Sequence, residues 1–189
     1  MASDPAPGRR VLVVGATGIL RPAALRLLAR GDTVVAVARG RMRLTVLEAE
    51  GGRRVEVVPV DVTRDAAVAS AVTSGSTLAE PLDAAIVYAP RPPADTFERV
   101  LGRVTGPVVR ILTSAQGEPR RADGDEPSAW PWAQEPRRSG ERRLLLGWTG
   151  SAEAPRWHTA DEVSAAALDV LDRGADTVLG RLRPWADRP

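Results

Sequence analysis

The chain has 189 residues, 43% apolar and 26% charged, with 26 basic side chains against 24 acidic ones. That length fits one domain with a core of its own, and a formal net charge of +2 with interspersed signs argues against nucleic acid as a partner. All the basic side chains are arginine, which does not titrate below about pH 12, and the absence of cysteine excludes disulfides and thiolate metal sites.

Met1 to Arg10 is polar with two prolines and has no apolar run, so residues 1–8 read as a flexible N-terminus and no secretory leader is expected. No segment approaches the roughly 20 apolar residues of a bilayer span, which makes a cytoplasmic protein without a membrane partner the expectation. Val11–Val14 is a short apolar run ending at Gly15 and predicts a buried strand. Gly18 to Arg30 predicts a helix with Leu20, Ala24, Leu27 and Leu28 on one face, Pro22 being tolerated in its first turn and Gly31 stopping it. Thr33–Ala38 is a second buried strand, ended by Arg39.

The alternation repeats. Arg41–Glu50 reads as a helix closed by Gly51-Gly52, Val55–Val62 as a strand interrupted by Pro59, and Asp65–Thr73 as a helix before a turn-rich stretch to Pro81. Ala84–Ala89 reads as a strand, Ala94–Val104 as a helix, and Pro107–Thr113 as a strand. Residues 116–140, rich in Pro, Gly, Arg and acids and carrying Trp130 and Trp132, form a long loop, either a substrate lid or a segment loosely packed on the sheet. Arg142–Trp148 resumes as a strand. Thr159-Ala-Asp-Glu162 is a capping box opening a helix to Arg173 with Val163, Ala166, Ala167, Val170 and Leu171 inward, and Thr177–Leu182 adds a last strand. Strand–helix alternation of this kind predicts an α/β fold: one doubly wound parallel sheet of six to seven strands flanked by helices, over residues 9–189.

Gly15-Ala-Thr-Gly18 joins the first strand to the first helix. Such a junction offers unpaired N–H groups and the positive helix end to a pyrophosphate; glycine at Gly15 permits a positive φ and close approach of a phosphate, and Thr17 supplies a hydroxyl. The second strand closes a unit of about 30 residues, as dinucleotide binding requires. An acidic residue at the end of that strand would hold an NAD ribose; Arg39 there, with Arg41 and Arg43 nearby, suits the 2′-phosphate of NADP. Asp61, followed by Val62, stands where an adenine amine would be accepted, or where a helix cap beside Thr63 would form.

By Val11-Leu-Val-Val-Gly-Ala-Thr-Gly18, Val34–Arg39 and Asp61-Val62, the chain resembles the atypical short-chain dehydrogenase/reductase group. Arg156-Trp157-His158-Thr159 and Gly180–Pro189 extend the likeness to a compact set of short Rossmann proteins. The resemblance implies a Rossmann fold, an NADPH cofactor and a small-molecule substrate. The cofactor shell expected on this basis is Gly15, Thr17, Gly18, Ile19, Leu20, Arg21, Arg39, Arg43, Asp61, Val62, Ala89 and Pro90. Arg21 stands at the group's third glycine position, where it would either crowd a pyrophosphate or bind it. The Tyr-x-x-x-Lys pair, whose lysine lowers the tyrosine pKa for proton transfer, is absent: the chain has one tyrosine, Tyr88, and no lysine.

Three side chains remain candidates for chemistry. Ser114 stands at the group's usual position for a substrate-binding serine, or satisfies the end of its strand. Tyr88 ends the fourth predicted strand, as a proton donor or as an edge of the core. His158, the single histidine, is of the residue type best suited to proton transfer near neutral pH, yet it precedes a helix, where a structural role is the alternative. It has no convergent partners, and no metal is expected. Reduction of a C=O or C=N bond by NADPH is the leading expectation; an NADP-binding regulatory or scaffold protein without turnover and a non-redox isomerase or cyclase are the alternatives. Homo-oligomerisation is left open.

Overall fold

The computed structural model describes residues 8–71, 77–89, 94–117, 137–151 and 153–189. Among them nine strands are ordered as β1 (Arg10–Val14), β2 (Thr33–Ala38), β3 (Val55–Pro59), β4 (Ala84–Val87), β5 (Val108–Leu112), β6 (Glu141–Leu146), β7 (Trp148–Gly150), β8 (Pro155–Trp157) and β9 (Thr177–Leu179). The helices are α1 (Arg21–Ala29), α2 (Arg41–Gly51), α3 (Asp65–Ala71), α4 (Ala94–Leu101) and α5 (Ala160–Arg173). Seven strands form one sheet in the order β3-β2-β1-β4-β5-β6-β9, every pair parallel. This is the Rossmann arrangement, with the strand order reversing between β1 and β4.

Side chains along a strand alternate between faces, and here that alternation separates two cores. Val11, Val13, Val34, Ala36 and Ile86 face α1, α2 and α5. Leu12, Val14, Val35, Val37 and Val87 face α3 and α4. The central strands are therefore apolar on both faces, as parallel strands covered twice must be. Leu20, Ala24, Leu27 and Leu28 are all buried, and salt bridges Arg26–Asp161 and Arg30–Asp172, both 2.9 Å, join α1 to α5.

Several boundaries depart from the sequence-based expectation. Helix α1 starts at Arg21 rather than Gly18, because Gly15–Leu20 are spent turning. Strand β3 ends at Pro59, which has no amide to continue a ladder. The strand expected to run to Trp148 breaks at Gly147, which lies against the Arg181 carbonyl; Trp148 then starts an antiparallel pair, β7–β8. A third cluster, Leu112, Leu145, Trp148 and Leu182, closes that end. The capping box is present: Thr159 Oγ1 accepts from the Glu162 amide at 3.2 Å and Glu162 Oε2 from the Thr159 amide at 2.8 Å. No helix among the described residues is long and apolar enough to cross a membrane. Residues 1–7, the stretch 118–136 of the expected long loop with Trp130 and Trp132, and Pro90 lie outside the described residues.

Candidate functional site

At the end of β1 the chain turns sharply. Gly15 adopts φ 90°, and a Cβ there would stand 3.1 Å from the Tyr88 carbonyl oxygen, so backbone and neighbour both require glycine. The Gly15 and Ala16 amides donate to the Val37 carbonyl at 2.8 and 3.4 Å, which stitches the loop to β2. Gly18 donates to Gly15 and Arg21 to Gly18. The amides of Thr17, Ile19 and Leu20 have no backbone acceptor among the described residues. Leu20 is the N-cap of α1, no side chain caps that end, and no acid occupies its first turn. Free N–H groups at an uncapped positive helix end are the ingredients of an anion site.

A cavity of about 600 Å³ opens over this loop. It lies at the C-terminal ends of the strands, beside the reversal of strand order, where open α/β sheets bind ligands. Gly15, Thr17, Gly18 and Ile19 line it from the loop; Arg39 from just beyond β2 and Arg43 from the start of α2; Asp61 and Val62 from beyond β3; Tyr88 and Ala89 from just beyond β4. Gly18 faces the open space: a Cβ there would meet only the Gly15 carbonyl oxygen, at 3.8 Å.

The charges of the site are arranged by sign. Arg39 and Arg43 are exposed, and neither makes a hydrogen bond or ion pair among the described residues. Asp61 Oδ1 accepts from the Thr63 hydroxyl at 2.7 Å and from the Thr63 amide at 3.0 Å. Those bonds, with the charges of Arg39 and Arg64, hold its carboxyl below the usual carboxylate range. Among the described residues no hydrogen-bond donor reaches its Oδ2.

Other residues selected from the sequence fall elsewhere. The Leu20 side chain is fully buried in the core, so only its backbone is left to meet a ligand. Arg21 turns from the loop to Glu50, with N···O distances of 2.6 Å; it neither crowds the cavity nor lines it. Ser114 follows β5, one strand beyond Tyr88, and is 3% exposed, outside the cavity lining. His158 is not brought to the cavity at all: its Nε2–H donates to the Leu179 carbonyl at 3.1 Å, and Nδ1 stands 3.6 Å from Glu162 Oε2. Its contacts clamp the end of β9 to the start of α5, which is a structural role.

The sequence reading omitted Thr63 and Gly40 from the cavity wall. The Asp-x-Thr spacing was a usable signal for Thr63, because such a pair closes a turn on itself. Among the described residues no group of acids and histidine is placed to hold a metal ion.

No family model and no curated protein matches the chain. Solved structures do. A short chain dehydrogenase/reductase family protein superposes with a TM-score of 0.64 at 19% identity, over 92% of this chain and 96% of its own. The RhlG/NADP active-site complex of Pseudomonas aeruginosa gives 0.60 at 16% identity, over 93% of this chain and 96% of that one. An NAD+-bound xylitol dehydrogenase gives 0.60 at 18% identity, over 93% and 99%. The chain thus has the Rossmann fold found in short-chain dehydrogenases and reductases.

Proposed function

We propose that the protein binds NADPH in this cavity and reduces a small C=O or C=N substrate. The observation that carries the cofactor is the pairing of an open phosphate loop with two unpaired guanidinium groups, Arg39 and Arg43, at the end of β2 and the start of α2. The Thr17, Ile19 and Leu20 amides would take the pyrophosphate. Arg39 and Arg43 would take the 2′-phosphate, and Asp61 Oδ2 the adenine amine. The structures of similar fold include an NADP complex and an NAD+-bound dehydrogenase, which supports a nicotinamide dinucleotide over another nucleotide.

The cofactor supplies the hydride; the chain orients it and supplies a proton. Tyr88 is the proton donor of this reading, since its ring packs along Gly15 and lines the cavity. Ser114, buried outside the cavity lining, takes no part in this reading. A protonated imine already carries positive charge, so it needs a strong acid less than a ketone does. In a chain with no lysine to lower the tyrosine pKa, that favours C=N over C=O. The same absence favours a second reading, an NADP-binding protein without turnover. Fluorescence titration with NADPH and NADH tests the cofactor, and oxidation of NADPH over ketones and imines tests the reaction. Binding without turnover of any substrate leaves the second reading standing; binding of neither cofactor removes both.

A further inference from the structure

Helix α5 reaches the phosphate loop through a polar contact. Ser164 is fully buried, and its hydroxyl donates to the Ile19 carbonyl at 2.9 Å, across 145 positions of sequence. Its neighbours along the same buried stripe, Ala167, Leu168 and Leu171, are apolar. The Ile19 carbonyl accepts from no backbone amide among the described residues: the bonds at the start of α1 run from Arg21 to Gly18 and from Ala24 to Leu20. Ser164 satisfies an acceptor that the helix itself leaves over.

The Ile19 carbonyl and the Leu20 amide belong to one peptide unit. That unit is planar and trans, so its C=O and N–H point in opposite directions. Holding the carbonyl toward α5 therefore turns the Leu20 amide away from α5. The Leu20 amide is one of the loop's unpaired donors, and Ile19 lines the cavity. We infer that Ser164 is a positioning residue for the cofactor: through the Ile19–Leu20 peptide it aims the Leu20 amide at the pyrophosphate of a bound dinucleotide. The inference rests on the dinucleotide reading above. Without the hydroxyl, the carbonyl loses the donor that fixes its direction and is free to rotate toward another, and the amide rotates with it.

The test separates the two ends of the ligand. NADPH engages the loop, whereas 2′-AMP carries the phosphate expected at Arg39 and no pyrophosphate. Removing one neutral hydrogen bond that fixes a donor should weaken NADPH by about 3- to 10-fold in Ser164→Ala. The affinity for 2′-AMP should stay within about twofold, a split that general loosening of the fold would not produce. Ser164→Cys, which retains bulk and a weak donor, should fall between, and it carries the test if the alanine variant does not fold. Arg26→Ala, which removes an exposed tie between α1 and α5 without touching the loop, should bind both ligands as the parent does. Unchanged NADPH affinity in Ser164→Ala, or a parallel loss of both ligands, overturns the positioning role. If the unmodified protein binds neither NADPH nor 2′-AMP, the dinucleotide reading itself fails and takes this one with it.

Discussion

Gly18→Ala should move stability and binding in opposite directions. The position does not use a positive φ, and a Cβ would have the Gly15 carbonyl oxygen at 3.8 Å and nothing nearer. Replacing glycine where the backbone accepts alanine stabilises by about 0.4–1 kcal/mol, through the unfolded chain. For a chain of this size that raises Tm by about 1–4 °C. The same methyl group projects into the cavity where a pyrophosphate would lie against the loop. Overpacking by one methyl group against atoms that cannot move costs about 1–3 kcal/mol, or roughly 5- to 150-fold in affinity. Thermal melting of the apo protein and NADPH titration of the same sample measure both effects. A higher Tm with unchanged NADPH affinity would refute the placement of the pyrophosphate. A lower Tm would refute the claim that the fold leaves this position free.

Gly15→Ala is the contrasting substitution: with φ 90° and the Tyr88 carbonyl oxygen 3.1 Å from the new Cβ, it should destabilise by more than about 1 kcal/mol in urea unfolding. Arg39→Ala should weaken NADPH by about 10- to 150-fold, the loss of one charge-assisted contact, with little change for NADH in the same titration. His158→Ala removes one of two donors to the Leu179 carbonyl, which keeps the Gly147 amide at 2.9 Å, and should lower stability by about 0.5–1.5 kcal/mol in urea unfolding, while NADPH affinity is unchanged. Acid stability should follow the carboxylates. Glu162, through Arg156 and the Thr159 amide, and Asp61, through Thr63, titrate below their ordinary range when folded. A carboxylate depressed in this way stabilises above its unfolded pKa, and that contribution is lost as pH falls through the folded value. Their share of the urea midpoint should therefore be constant down to about pH 5 and decline below about pH 4, with a shallower decline in Glu162→Gln.

The sheet could be read from sequence because its signal is local. An apolar run bounded by Gly or Arg, as in Val11–Val14 or Thr33–Ala38, makes a doubly covered strand wherever the chain takes it. The sharp turn after β1 was legible for the same reason, since Gly15 carries its own backbone requirement, a positive φ. What escaped depends on residues far away in the chain. Arg21 at a glycine position suggested conflict with a phosphate, and only the fold brings Glu50 to draw it aside. The break at Gly147 is imposed by Arg181, so the run ending at Trp148 looked continuous. His158 was recognisable as a titratable group, but its partner on β9 appears only when α5 docks. Ser164 did leave a trace: it is a polar residue on a stripe that is otherwise apolar, a pattern that asks for a buried acceptor.

The Val37 carbonyl holds the loop through the Gly15 and Ala16 amides, and Arg39 follows two residues later, just past the end of that strand. The loop and the Arg39 Cα are thus tied to the same end of β2, whose rise per residue hardly varies. The distance from the loop to the Arg39 Cα is set by main chain, whereas the exposed guanidinium at the end of that side chain is placed by its rotamers. In the proposed reading, a dinucleotide would therefore meet a fixed main-chain point at the loop for its pyrophosphate and an adaptable side-chain point at Arg39 for its second anionic group.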